Sequence, residues 1–171
     1  MLLIADEAKP LAIAGVIGGQ GSSVTENTSD VFLESAIFNP ISVRKTSKAL
    51  NISTDASYRY ERGTSWEIAE LAGWRAVNLI CELAGGRLDL REDVNSPLNK
   101  KTVIQLRVER VEKILGYKID EDDIADILRF LGIEISTKIQ NVLLAEIPSW
   151  RNDIKEEIDL IEEVARVNGY E

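Results

Sequence analysis

A polar stretch with a proline inside it, Asn95-Ser96-Pro97-Leu98-Asn99-Lys100-Lys101, separates two lengths of chain whose apolar patterns differ. No single regular architecture can run through it. With 171 residues in all, the chain is long enough for one well-buried domain or two small ones, and the break favours two. We therefore expect a first domain over residues 1–94, a linker over 95–101 and a second domain over 102–171.

Ahead of the break, Leu2–Asp6 and Leu11–Val16 are rich in β-branched and aliphatic residues without a helical period, which predicts two short strands. Gly18-Gly19-Gln20-Gly21 ends the second, where glycines permit positive φ and close approach of another group. Val31–Phe38 reads as a further strand with one carboxylate, Glu34, embedded in it; strand alternation alone would let Glu34 face water. Asn39-Pro40 pairs an N-cap residue with proline at the first helical position and starts a helix to about Leu50. Ser53–Gly63 is too rich in hydroxyls and ions for a core, so we expect a polar loop or short helical turn. Thr64 or Ser65 then caps a long helix to Ala84, stopped by Gly85-Gly86, with Ile68, Ala72, Ala76, Leu79 and Leu83 as its buried stripe.

Beyond the break the expected order is strand (103–108), helix (109–115), a second helix capped by Asp120, a hairpin around Gln140-Asn141, and a last helix from about Ile154 to Asn168. Strand-helix-helix-hairpin-helix is close to a winged-helix layout. The fold class is thus α+β: a mixed-sheet domain with a long helix, then a small winged-helix-like domain.

Several function classes are excluded at once. The chain has no histidine and one cysteine, Cys81, so no Ser-His-Asp or Cys-His site, internal disulfide or cysteine-rich zinc site can form within it. Cys81 falls in a helical pattern and reads as a small buried hydrophobe. The first apolar run, Leu2–Ala5, is too short for a signal core or membrane span, so we expect no membrane partner and a cytoplasmic protein. A net charge of −9 argues against a general nucleic-acid binder. Yet Arg44, Lys45, Lys48, Arg59 and Arg62 face only two acids between residues 44 and 62, a positive island and a possible RNA contact. Residues 95–171 hold 16 acids and 11 bases, which points to a packing module rather than a sequence reader.

On a helical wheel the last helix sets Ile154, Ile158, Ile161 and Ala165 against Glu156, Asp159 and Glu163, with Glu162 at the border. A solvated acidic face with Asp153 as N-cap and Glu156 as its capping-box partner is one reading. A hard, oxygen-seeking ion such as magnesium is the other.

Four blocks taken in order resemble one family: Gly15-Val16-Ile17-Gly18-Gly19, Phe32-Leu33-Glu34-Ser35-Ala36, Ser53–Gly63, and Pro148–Ile154 followed by Asp159–Tyr170. The family is the β chain of bacterial phenylalanyl-tRNA synthetase. The resemblance implies that residues 1–94 are the C-terminal part of its B3/B4 editing domain and residues 102–171 its B5 domain. It implies an editing pocket for tyrosine-charged tRNA(Phe) in which Glu34 receives the tyrosine hydroxyl and Gly18, Thr54 and Ala56 shape the wall. The family's pocket also uses an upstream histidine, which this chain lacks. A magnesium site shared with the α chain is implied at Asp153, Asp159, Glu162 and Glu163. The whole enzyme, an (αβ)2 assembly, would use ATP to charge tRNA(Phe) with phenylalanine, with no ATP site in these residues. Two other readings stay open: a tRNA-binding module without catalysis, and a scaffold whose acidic last helix docks a partner.

Overall fold

Residues 1–94, 101–139 and 141–169 are described in the computed structural model, so the expected linker lies almost wholly, and the hairpin residue Gln140 entirely, outside the described residues. The chain separates into two units, Met1–Asn95 and Ser96–Glu171.

In the first unit three short strands, β1 (Leu3–Ala5), β2 (Pro10–Ile13) and β3 (Ile17–Gly18), pair in the order β1-β2-β3. Asp6 closes the first turn by accepting the backbone N–H groups of Ala8 and Lys9 at 2.8 and 2.7 Å. Both pairings are antiparallel, so the sheet is not the mixed one expected. The predicted strand Leu11–Val16 breaks after Ile13 because the chain turns at Gly15, whose φ is +67°. A Cβ on Gly15 would lie 2.9 Å from Phe38 Cδ2 and 3.0 Å from Val43 Cγ2, so sterics as well as φ demand glycine there. The glycines at 18, 19 and 21 do not use the positive φ open to them. Gly19 is instead a close-approach residue, its backbone N–H donating to Leu11 O at 2.7 Å where a Cβ would clash with that carbonyl.

Three helices follow. α1 (Pro40–Leu50) starts with Asn39 accepting the Ser42 N–H at 3.0 Å and proline at the first turn. α2 (Asp55–Tyr60) is opened by a Thr54–Ser57 capping box, giving the polar segment 53–63 its short helical turn. α3 (Trp66–Ala84) is capped by Ser65 and ended by Gly85 at φ +69°. Ala14, Val16, Phe38 and Val43 form a small core. Two expectations fail here. Residues 31–38 form no strand, because no strand among the described residues lies beside them to complete a ladder; Phe32 is 95% exposed. The expected stripe on α3 is not buried either: among the described residues no α3 side chain is buried, Leu83 is 80% exposed, and Cys81 is only half-buried.

The second unit is better filled. β4 (Thr102–Arg107), α4 (Val108–Leu115), α5 (Glu121–Phe130), β5 (Glu134–Ile139), β6 (Val142–Ile147) and α6 (Glu157–Asn168) occur in the expected order. The antiparallel sheet has β6 in the middle, in the order β4-β6-β5. Alternation puts Ile104 and Leu106 of β4, and Leu143, Ala145 and Ile147 of β6, on one buried face. Val111, Ile124, Leu128, Leu160 and Val164 from the three helices close over it, each fully buried. Each such aliphatic side chain contributes about 1.5–3 kcal/mol. Among the described residues no helix is long and apolar enough to cross a membrane.

A charged clamp fastens α6 to β4. Glu157 accepts from the Arg107 backbone N–H (2.8 Å), Arg107 Nε (3.0 Å) and Nη2 (2.6 Å), and Arg110 Nη1 (2.7 Å). The Arg107 hydrogen bonds outweigh desolvation and hold the Glu157 carboxyl down at about 2, from an ordinary 4.5. A carboxyl lowered by folding stabilises the fold above its ordinary pKa, and this stabilisation is lost as pH falls through the folded value. Acid titration followed by circular dichroism should show stability falling between pH about 4.5 and about 2, and Glu157→Gln should remove that part of the pH dependence while costing about 1.5–3 kcal/mol at neutral pH. Equal acid profiles for the two proteins would show the clamp to be inert.

Candidate functional site: a desolvated carboxylate and an arginine-filled acidic cluster

In the first unit, Thr54 and Ala56 are placed by the cap of α2, not by a loop. The Thr54 hydroxyl donates to Val16 O at 2.6 Å and accepts the Ser57 N–H at 3.0 Å, which brings the start of α2 against the chain entering β3 and hence Gly18. A methyl group on Gly18 would meet nothing within 4 Å beyond its chain neighbours, so open space lies beside it, and Ala56 is exposed. Glu34 is solvent-accessible and makes no hydrogen bond or ion pair among the described residues. Even so, desolvation by surrounding protein pushes its carboxyl pKa up. The Tyr60 hydroxyl is pushed up too, first by burial and then by the Glu34 charge. The Glu34 charge thus acts on the Tyr60 hydroxyl, while the exposed carboxylate stays open to a donor from outside.

Two residues that sequence reasoning passes over hold this arrangement. The Tyr60 hydroxyl donates to Ala36 O at 3.3 Å, and its ring packs edge-on against Phe38 with centroids 5.1 Å apart. The Ser35 hydroxyl donates to Ala69 O of α3. Both lie inside the motifs, but nothing in their type or spacing separates them from their neighbours.

The positive island is assembled in part. Arg44, Lys45 and Lys48 on α1 and Arg59 on α2 are exposed and make no ion pair among the described residues. Arg62 is engaged locally: Nη1 donates to Tyr58 O at 2.7 Å and Glu61 Oε1 at 2.8 Å, with the guanidinium 3.6 Å above the Tyr58 ring.

At the far end, α6 starts at Glu157 with Glu156 in the cap position, three residues after the expected cap Asp153. Asp153 lies in the turn before the helix and is held by Arg151 through Nε (3.0 Å) and Nη2 (2.6 Å). The same Nη2 reaches Glu163 Oε1 at 2.9 Å, and Arg166 holds Glu163 Oε2 at 2.6 Å. Arg151 keeps the Asp153 carboxyl below its ordinary value. Burial opposes the Glu163 charge, but Arg151 and Arg166 outweigh it and lower that pKa as well. Asp159 is occupied as a cap, accepting the N–H groups of Lys155 (2.8 Å) and Glu156 (2.9 Å). Glu162 is exposed. The wheel is also turned: Leu160, Ile161, Val164 and Ala165 are buried, and Ile158 is 41% exposed.

As arranged, these carboxylates do not fit magnesium. Arginine already neutralises two of them, a third is spent on backbone N–H groups, and among the described residues no group of three or more histidine, cysteine or acidic side chains is placed to hold a metal.

Two domain-family models match the chain, one on each of the two units. Residues 1–85 match the B3/4 domain family, and residues 104–170 match the tRNA synthetase B5 domain family. The phenylalanine-tRNA ligase beta subunit of Pseudomonas savastanoi pv. phaseolicola is 44% identical over 171 residues, 99% of this chain and 22% of the relative. That of Porphyromonas gingivalis is 43% identical over 170 residues, 99% and 21%; that of Chlorobium chlorochromatii is 44% identical over 159 residues, 93% and 20%. The chain belongs to the phenylalanine-tRNA ligase beta-subunit family and spans about a fifth of the length of these relatives.

Titration calorimetry should find weak or no magnesium binding to this 171-residue segment. Saturable micromolar affinity would show that the arginine-held carboxylates rearrange without help.

Proposed function

We propose that this segment works within the β subunit of a cytoplasmic phenylalanine-tRNA ligase, an (αβ)2 assembly with an α subunit that uses ATP to charge tRNA(Phe) with phenylalanine, and that its first unit takes part in hydrolytic editing of tyrosine-charged tRNA(Phe). The observation that carries the editing reading is Glu34: an exposed carboxylate with no hydrogen bond or ion pair among the described residues, raised in pKa by partial burial and close enough to Tyr60 for its charge to act on that hydroxyl.

Tyrosine and phenylalanine differ by one hydroxyl. An ionised carboxylate accepts that O–H in a charge-assisted hydrogen bond, which phenylalanine cannot supply. A site built around such a bond discriminates strongly, because the wrong ligand leaves a desolvated polar group unpaired. Thr54, with its hydroxyl committed to Val16 O, offers a fixed wall rather than a mobile donor. Exposed Ala56 leaves room for the aminoacyl end of the tRNA. With no histidine in the chain, a group outside these residues must activate or position the water that cleaves the ester. A magnesium site shared with the α subunit would require that subunit to supply ligands and Arg151 to release Asp153 and Glu163.

The positive face of α1 and α2 supports a second reading, a tRNA-binding module that holds the acceptor end without cleaving it. Exposed cations with no internal ion pair attract phosphates through counterion release. Replacing Arg44, Lys48 and Arg59 by Ala should weaken tRNA binding and flatten its salt dependence; an unchanged slope would remove these residues from the interface.

Editing itself is tested by hydrolysis of tyrosine- and phenylalanine-charged tRNA(Phe) by the complete ligase. Glu34→Ala should lower the preference for the tyrosine ester by about tenfold or more, and Ala56→Trp should block release. Full preference retained in Glu34→Ala would end the reading.

A further inference from the structure

Glu34 lies on a segment that no described strand pairs with, so its place is not set by a ladder. It is set by its neighbours. On one side the Ser35 hydroxyl reaches Ala69 O of α3 at 2.5 Å. On the other, the Tyr60 hydroxyl reaches Ala36 O at 3.3 Å while its ring meets Phe38 at an interplanar angle of 62°. Ser35 can approach α3 only because residue 73, four positions beyond Ala69, is glycine. A Cβ at Gly73 would come 3.1 Å from Ser35 Cβ and 3.4 Å from its Oγ.

Gly73 stands in the middle of a helix of 19 residues. Glycine is the poorest helix former apart from proline, so helix propensity does not account for it. The close approach of Ser35 does. An alanine there would suit the helix better but would have to displace something. α3 is a hydrogen-bonded helix and residues 31–38 are not paired, so the segment gives way and carries Glu34 with it.

We propose that Ser35, Tyr60 and Gly73 are positioning residues for the Glu34 carboxylate, with the notch at Gly73 setting how deeply Ser35 docks on α3. None of the three needs to touch the tRNA. The functional consequence rests on the editing reading of Glu34; the placement itself does not.

Placement is tested on the 171-residue chain by NMR titration of the Glu34 carboxyl, with thermal unfolding measured in parallel, for the wild type, Gly73→Ala, Gly73→Val and Tyr60→Phe. Pushing the segment outward rehydrates the carboxylate. Its pKa should therefore move down toward the ordinary value in Tyr60→Phe and Gly73→Ala, and further in Gly73→Val. Gly73→Ala should keep or raise the unfolding temperature, a result that separates positioning from general loss of structure. A Glu34 titration identical to wild type in Gly73→Ala, Gly73→Val and Tyr60→Phe overturns the proposal.

In the complete ligase, Gly73→Ala should cut the tyrosine preference of ester hydrolysis by on the order of tenfold while aminoacylation is unchanged, beside Glu34→Ala as the reference. If Glu34→Ala loses preference and both Gly73 variants keep it, positioning is refuted and editing stands. If Glu34→Ala keeps its preference, editing fails, and a titration shift in the Gly73 and Tyr60 variants still supports the placement.

Discussion

The hydrogen bond from the Thr54 hydroxyl to Val16 O, 2.6 Å long, is the joint on which the first unit turns. One oxygen donates to the chain entering β3 and accepts the Ser57 N–H that begins α2. Without it, the sheet and the short helix would share only the few side chains of a small core. A six-residue helix is far too short to persist alone in water, so α2 depends on its cap and on Tyr60 at its other end. Thr54 and Tyr60 thus bracket the helix, and Tyr60 passes that constraint on to Ala36 and the Glu34 segment.

Much of this was legible because it is local. Asn39-Pro40 signals a helix start, and Thr64 or Ser65 with Gly85-Gly86 bounds the next helix, since capping and positive φ are properties of single residues; the structure uses Ser65 and Gly85. The second unit followed from alternation in β4 and β6 and from helical spacing in α5. What escaped is what depends on neighbours far along the chain. Val31–Phe38 has the composition of a strand, but a strand exists only beside another. The apolar positions of α3 have helical spacing, yet spacing cannot say what covers them. Of the proposed site residues, Glu34 stood out as a charge in an apolar run; Tyr60, Ser35 and Gly73 act through contacts 22 to 38 positions apart, which no local pattern encodes.

The acidic end of α6 shows the same limit from the electrostatic side. Helical periodicity correctly gathers Asp159 and Glu163 near one another, and it says nothing of Arg151, which lies outside the helix and is 19% exposed. A guanidinium shared by two carboxylates relieves the like-charge repulsion that the wheel exposes. Asp153 pairs with Arg151 in the turn ahead of α6, the helix starts at Glu157 with Glu156 as its cap, and Glu157 is the acceptor for Arg107 and Arg110.

The two units place polar groups by different means. In the second, charges are fastened around a filled core, and losing one contact leaves the others packed. In the first, α3 buries no residue among those described and the core is small, so the position of a carboxylate on residues 31–38 rests on two hydroxyl tethers and a notch in a helix. Such a tether holds an atom in register at little cost in burial, and it fails sharply when a methyl group fills the notch. On the proposed editing reading such a site needs register more than it needs stability, because an exposed carboxylate discriminates a phenol only when it is held where the phenol arrives. The sparse packing around Glu34 is therefore compatible with a demanding recognition task, provided the tethers hold.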